Sequence, residues 1–491
     1  MTKIPRCMST QHPDNVQIPF FAEDPEMSGE DEIKEAYYAF ANLGCDEQMW
    51  DSEGKEVDSY VVKKLLTRYE AYFRENRLGE NRYLTIRVPN PTVERGEGKI
   101  LLETLDSIPR SYDAAKLFYG DEEDSIPAPI FEVILPMAST AVNIRRVHHY
   151  YADFVAGKQD QPLSEGDITV AQWIGEFKPD HINVIPLFED MEHMLNAHLI
   201  TEEYLRGMGV NEHRVFLARS DPAMNYGMIS AVLLNKIALQ RLWGMSQEKG
   251  IELYPILGVG SAPFRGNLIP GTVERTISEY PSVHTFTIQS AFKYDHDPDV
   301  VRDAVRTIQN SPKGAPQIVD EERCLDIIDR YSEEYQRQVM ALAPLINEIA
   351  RYVPSRRKRK LHIGLFGYSR DVGRLKLPRA ITFTAALYSI GLPPELLGLS
   401  ALSVHDIDFL KGVYLNLEDD LKDALKYLNT NVASLLPRNL TGILDTPITD
   451  FDINDEHQEL TSEMIAKLLR DEREGLGEQV VKAASIRKFL G

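Results

Sequence analysis

Short apolar runs recur along the chain, each followed by a turn and then by a longer stretch with apolar positions at helical spacing. Eight such runs predict strands: Tyr83–Val88, Ile130–Met137, His181–Phe188, Arg214–Arg219, Ile251–Leu257, His284–Gln289, Leu361–Phe366 and Leu397–Ser403. The runs ahead of Glu189, Arg219 and Gly367 are almost continuously apolar, which suits parallel strands buried on both faces. Between them, Tyr226–Met245 and Cys324–Val353 carry apolar residues at i, i+3, i+4 and predict helices. Alternating β and α units of this kind predict an α/β fold, a (β/α)8 TIM barrel with extra N-terminal and C-terminal helices. An open doubly wound sheet is the competing arrangement. Residues 1–491 are read as a single barrel domain. Residues 1–80 form an N-terminal helical segment, with helices near Asp31–Asn42 and Val57–Arg74. Residues 405–491 form a C-terminal helical elaboration.

Length and charge narrow the picture. With 491 residues, 43% of them hydrophobic, the chain can bury a large core. Its formal net charge of -21 opposes sequence-independent binding to nucleic acid and to anionic membrane surfaces. An anionic substrate would need a local cationic site against that field. Cys7, Cys45 and Cys324 are too few and too scattered for a disulfide framework, so a reducing, cytoplasmic setting is expected. The polar stretch Met1–Pro19 has no apolar core of a signal peptide, and no run of 18 or more apolar residues predicts a transmembrane helix.

Common signatures fail on inspection. Gly258-Val259-Gly260 begins like a dinucleotide fingerprint, but Pro263 stands at the third glycine. Gly260 to Gly266 has P-loop spacing, with Asn267 in place of the lysine. Gly367-Tyr368-Ser369-Arg370-Asp371 lacks the closing glycine of a nucleophile elbow. His193 and His198 stand five apart, where a zinc pair on one helical face wants four. Val62 occupies the position at which a calcium loop starting at Asp51 needs glutamate. The basic run Arg356-Arg357-Lys358-Arg359-Lys360 reads as a solvated loop or subunit contact on the far face of the barrel. Asp297-Pro298 reads as the N-cap and first residue of a helix.

In such a barrel the chemistry lies at the C-terminal ends of the strands. Glu189 follows one strand and Asp221 the next, so the two carboxylates could share a hard cation such as magnesium. Each also opens a helix and could instead be an N-cap. Arg370, Arg374, Lys376 and Arg379 place four cations within ten residues of an acidic chain, where phosphate is often held. Arg87 ends a strand, and Arg265 lies in a glycine-containing loop. His12 has a side chain suited to proton transfer near neutral pH. Together these residues describe a cationic bowl beside a metal pair, suited to a small, multiply anionic substrate.

Met8-Ser9-Thr10-Gln11-His12-Pro13-Asp14-Asn15 resembles the opening signature of archaeal-type phosphoenolpyruvate carboxylases, and the resemblance runs the full length. The chain is also similar, more distantly, to the longer bacterial and plant enzymes. His12-Pro13 matches their TAHPT motif, whose histidine is the proposed general base. Arg87 matches an arginine in a short VRQ segment. Glu189 in Pro186-Leu187-Phe188-Glu189 and Asp221 in Ser220-Asp221-Pro222-Ala223 match the metal ligands of PLFE and SDSA. Phe264-Arg265-Gly266 falls on the second half of the glycine-rich loop. Ser369-Arg370 and Leu377-Pro378-Arg379-Ala380-Ile381 match segments that supply substrate-binding arginines. Met224, Leu257, Val259 and Gly391 stand where the longer enzymes have a lysine, a histidine and two arginines. Arg374, Lys376 or Arg219 are the candidates to fill those roles.

The resemblance implies that phosphoenolpyruvate and bicarbonate are converted to oxaloacetate and phosphate, replenishing four-carbon acids. It implies Mg2+ or Mn2+ as cofactor and a homotetramer. His12, Arg265, Arg370 and Arg379 would be catalytic, and Arg87, Ser369, Arg374 and Lys376 would bind substrate. Glu189 and Asp221 would hold the metal, and the loop around Gly258–Gly266 would close over the site. Another metal-dependent lyase or aldolase on a barrel, and a non-catalytic metabolite-binding regulator, are the competing functions.

Overall fold

The computed structural model describes residues 4–491 apart from 53–57, 121–125, 359–370, 373–374, 446–447 and 449. Eight parallel strands close a barrel in sequence order: β1 (Cys7–Ser9), β2 (Glu47–Asp51), β3 (Tyr83–Arg87), β4 (Glu132–Leu135), β5 (Asn183–Phe188), β6 (Glu212–Ala218), β7 (Glu252–Gly258) and β8 (Thr285–Ile288). β1 pairs with both β2 and β8 (Cys7 opposite Phe286, Met8 opposite Glu47), which completes the ring. The (β/α)8 expectation holds, and the open sheet does not.

Strand periodicity sorts the side chains into two sets. One face of each strand points out into the layer of helices, as do Trp50, Leu84, Val133, Val184, Val215, Leu253 and Phe286. The other face fills the barrel, where Met8, Met49, Ile134, Ile185, Leu187, Phe216, Ala218 and Ile256 form a separate apolar cluster. Towards the start of the strands this filling turns ionic. Arg214 Nη1 donates to Glu47 Oε1 (2.8 Å) and Glu132 Oε2 (2.9 Å), and Arg214 Nη2 to Glu47 Oε2 (2.7 Å). All three are buried, so each charge exists only because the others compensate it.

Six predicted strands fall on β3 to β8, and two do not. Leu397–Ser403 is no strand. Gly398 takes a left-handed turn (φ 87°), and Leu399–Ala401 is a short 3-10 turn. The run is apolar because it packs beneath the long helix Glu321–Ala350, where Tyr331 Oη donates to Leu397 O (2.9 Å). Leu361–Phe366 lies outside the described residues. In their place stand β1 and β2, inside the segment 1–80 that was expected to be helical. β2 reads Glu-Gln-Met-Trp-Asp and looks like a surface stretch, yet all five residues are buried. Its acids point into the barrel, Glu47 to Arg214 and Asp51 to Arg87. The expected helices of this segment appear as Glu30–Ala41, Val61–Arg68 and Glu70–Glu75.

The basic run is also corrected. Arg356 and Arg357 are buried rather than solvated. Arg357 bridges Glu32 (3.0 Å) and Glu35 (2.6 Å), and Arg356 Nη2 donates to Val16 O (2.9 Å). Asp297 caps the helix Pro298–Asn310 as read, accepting from Asp299 N. The three cysteines are free and buried. No single helix among the described residues is long and apolar enough to cross a membrane.

Candidate active site

A cavity of about 110 Å³ opens at the C-terminal ends of the strands. Of the ten candidate side chains, it gathers His12, Arg87, Glu189, Asp221, Arg265 and Arg379. Ser369, Arg370 and Arg374 lie outside the described residues. Lys376 pairs with Asp371 in a two-stranded hairpin, and its side chain is likewise outside the description.

His12 follows β1. Its carbonyl accepts from Asp14 N (3.1 Å) and Ser290 N (3.2 Å), and its Nδ1 lies 2.9 Å from Thr10 Oγ1. Arg87, the last residue of β3, is gripped in a fork by Asp51 (Nε–Oδ1 3.0 Å, Nη2–Oδ2 2.8 Å). A bidentate pair of this kind fixes the plane of the guanidinium before any ligand arrives.

Glu189 follows β5, and its Oε2 accepts from Met137 N (2.6 Å). Met137 holds a left-handed backbone (φ 48°) that a side-chain-bearing residue adopts at a cost, which marks a locally strained site. The helix after β5 is capped by Asp190, whose Oδ1 accepts from His193 N (3.0 Å), so capping does not account for Glu189. Asp221 sits in the first turn of Ser220–Tyr226, where Arg219 holds the N-cap position. Two carboxylates therefore line one cavity for reasons other than capping. No group of three or more His, Cys, Asp or Glu that could hold a metal occurs among the described residues. The pair fits a hard cation that takes its remaining ligands from substrate and water.

Arg265 is 2% exposed and anchored through four hydrogen bonds. Nη1 donates to Asp14 Oδ2 (3.3 Å) and Gly491 O (2.6 Å), Nη2 to Gln289 Oε1 (2.5 Å), and Nε to Ser220 Oγ (3.2 Å). Burial pushes the Asp14 carboxyl up, and Arg265 pulls it back. Gly260 makes room for this packing, because a Cβ there would lie 2.8 Å from the Arg265 guanidinium carbon. Residues Val259–Arg265 are all buried, and with Gly258 and Arg265 the loop forms part of the cavity wall. Arg379 is the N-cap of Ala380–Ser389, and Ala380 and Ile381 line the cavity beside it. The unpaired N–H groups of a helix start add to the anion-attracting side.

Arg219, a candidate replacement cation, is turned elsewhere. Its Nη1 donates to Phe264 O (3.1 Å) and its charge faces Tyr280, Tyr414 and Asp420. Sequence reading missed Gln289 and Ser220, which line the site and orient Arg265. Both stand at strand ends, where the same strand-end rule could have found them. Leu187, Phe216, Ala218, Met49 and Met224 make the floor apolar. The site thus combines two acids, three guanidinium groups and one imidazole over a dry base.

A family profile described as phosphoenolpyruvate carboxylase matches residues 4–491. Similar proteins of that name occur in Methanothermobacter thermautotrophicus (59% identical over 489 residues) and Methanospirillum hungatei (54% over 489 residues), with 100% of each chain covered in both cases. Another, from Pyrococcus abyssi, is 50% identical over 491 residues, covering 99% of this chain and 100% of that one.

Proposed function

The chain belongs to the phosphoenolpyruvate carboxylase family, a family of carboxy-lyases, and from this premise we propose how the cavity residues divide the work. The observation that carries the reading is the meeting of His12, Glu189, Asp221 and three arginines in one cavity.

Phosphoenolpyruvate and bicarbonate are both anions. Arg265 and Arg379, together with Arg87, hold them side by side and neutralise the phosphoryl charge. Arg370, Arg374, Lys376 and Ser369 are assigned to the same task from sequence alone. Glu189 and Asp221 would hold a divalent cation, magnesium or manganese. When bound, that cation supplies charge stabilisation to the enolate that develops as the phosphoryl group leaves. Bicarbonate oxygen attacks phosphorus, the bond to the enol oxygen breaks, and carboxyphosphate and the enolate of pyruvate result. His12 accepts the carboxyl proton of carboxyphosphate, which then releases carbon dioxide and phosphate. The enolate carbon attacks carbon dioxide to give oxaloacetate. The apolar floor of Met49, Leu187, Phe216 and Ala218 keeps water from protonating the enolate to pyruvate.

One catalytic domain over residues 1–491, a homotetramer and a cytoplasmic setting belong to the same reading. Closure of the ring by β1 and the hydrogen bond from Leu490 N to Asp14 O (2.7 Å) support the single domain, since both chain ends meet at the site. The test is coupled oxaloacetate production from phosphoenolpyruvate with magnesium, with and without bicarbonate. Bicarbonate-dependent oxaloacetate is expected. Tight binding of phosphoenolpyruvate without turnover would instead favour a regulatory protein.

A further inference from the structure

We propose that Thr10 is a positioning residue that fixes the tautomer of His12, keeping the ring proton on Nδ1 so that Nε2 is the basic nitrogen. The inference rests on the reading of His12 as the proton acceptor and extends it to a residue with no assigned role.

Thr10 has no exposed surface, so its hydroxyl finds its partners inside the protein. Two groups stand within reach. Thr10 Oγ1 donates to Ile288 O (3.4 Å), and His12 Nδ1 lies 2.9 Å away. A hydroxyl has one proton to give and two lone pairs to receive with. With its proton on Ile288 O, it faces Nδ1 as an acceptor, and Nδ1 then carries the ring proton. The cavity beyond the ring holds donors (Arg87, Arg265, Arg379) and acceptors (Glu189, Asp221, Gln289) alike, so it is the Thr10 contact that sets the tautomer.

The main chain of Thr10 is held on both sides. Its backbone N–H donates to Ile288 O (3.0 Å), and its carbonyl accepts from Lys293 Nζ (2.9 Å). Lys293 is itself fixed by Glu35 Oε1 (2.9 Å) and Ser9 Oγ (3.0 Å), all buried. A threonine whose hydroxyl merely satisfied Ile288 O would need no imidazole beside it. In that case removing the hydroxyl would change stability but leave proton transfer alone. The two roles are thus separable by experiment.

Thr10→Val, Thr10→Ser, His12→Asn and the double variant Thr10→Val/His12→Asn are assayed for oxaloacetate formed and phosphoenolpyruvate consumed. Thr10→Val should lower kcat for oxaloacetate on the order of tenfold to a hundredfold with KM for phosphoenolpyruvate unchanged, and Thr10→Ser should restore most of it. In the His12→Asn background, Thr10→Val should have no further effect, because the two act as one unit. A Thr10→Val enzyme with wild-type kcat, or an equal loss with and without His12, overturns the proposal. If the valine variant does not fold, nitrogen NMR of the histidine-labelled wild-type enzyme decides, with the His12 signals identified by their loss in His12→Asn. Protonated Nδ1 and unprotonated Nε2 are expected, and the reverse pattern overturns it. Full oxaloacetate yield from His12→Asn would remove the base reading itself, an outcome distinct from failure of the Thr10 arm alone.

Discussion

Asp14 and Arg265 lie 251 residues apart in sequence, yet Asp14 Oδ2 and Arg265 Nη1 are 3.3 Å apart, with both side chains buried. Asp14 also accepts from Ala291 N (2.7 Å) and Ser261 N (3.4 Å). One carboxylate thus joins the segment after β1 to the loop after β7 and the helix after β8. The residue two positions after His12 fixes the guanidinium that faces the same cavity.

His12→Asn should abolish oxaloacetate formation while leaving some bicarbonate-dependent cleavage of phosphoenolpyruvate. In the proposed mechanism, bicarbonate attack on phosphorus needs the arginines, whereas release of carbon dioxide needs the base. A drop in oxaloacetate of about 10²-fold or more is expected. Parallel measurement of pyruvate, phosphate and oxaloacetate checks it, and wild-type oxaloacetate yield would contradict the role.

Asp221→Asn removes one of two carboxylates from the proposed cation site. The concentration of magnesium giving half-maximal rate should rise by about tenfold or more, or activity should vanish. A magnesium titration decides, and an unchanged curve would take Asp221 out of the metal site.

Gly260→Ala should lower kcat/KM for phosphoenolpyruvate without altering the metal titration. The added methyl would lie 2.8 Å from the Arg265 guanidinium carbon, so the guanidinium must shift within the cavity that it lines. A displacement of about 1 Å at such a clamp costs on the order of a hundredfold in rate. Wild-type kinetics would show that Arg265 moves freely.

Arg214→Met leaves Glu47 and Glu132 buried without their cation, so it should cost about 3–5 kcal/mol of stability. Combining it with Glu47→Gln and Glu132→Gln should recover much of that loss. Denaturant unfolding of the single and triple variants tests this, and equal destabilisation in both would refute a charge-based cause.

Glu395 is fully buried, and burial pushes its carboxyl up to about 7. Tyr388 Oη donates to Glu395 Oε1 (2.6 Å). A carboxyl with a raised folded pKa binds its proton more tightly when folded. Its contribution to stability is complete below its unfolded value of about 4.3 and is lost as pH rises to 7. The span corresponds to roughly 4 kcal/mol. Glu395→Gln should therefore flatten the fall in stability between pH 4.5 and pH 7. Unchanged pH dependence of the unfolding midpoint would show that Glu395 does not titrate there.

Strands β3 to β8 were legible because their apolar runs are what a strand buried on both faces requires. β1 and β2 were not, for a physical reason. β1 is three residues long, and the acids of β2 are buried against Arg214 and Arg87, which stand far away in sequence. Hydrophobic patterning cannot see a charge neutralised at long range. Leu397–Ser403 failed in the opposite sense, since its apolar residues serve helix packing. At the site, His12, Arg87, Glu189, Asp221, Arg265 and Arg379 were found by strand-end position and motif resemblance together. The packing of Arg265 against Asp14, Gln289 and Gly491 was invisible, because it is made by segments that meet only in the closed barrel.

The seam between β1 and β8 joins the start of the polypeptide to a strand that begins at Thr285. During synthesis, a nascent chain ending before that strand already contains Glu189, Asp221 and Arg265. It lacks Ile288 and Ser290, against which Thr10 and His12 are seated. His12, the proposed proton acceptor, is thus seated by the pairing that closes the ring.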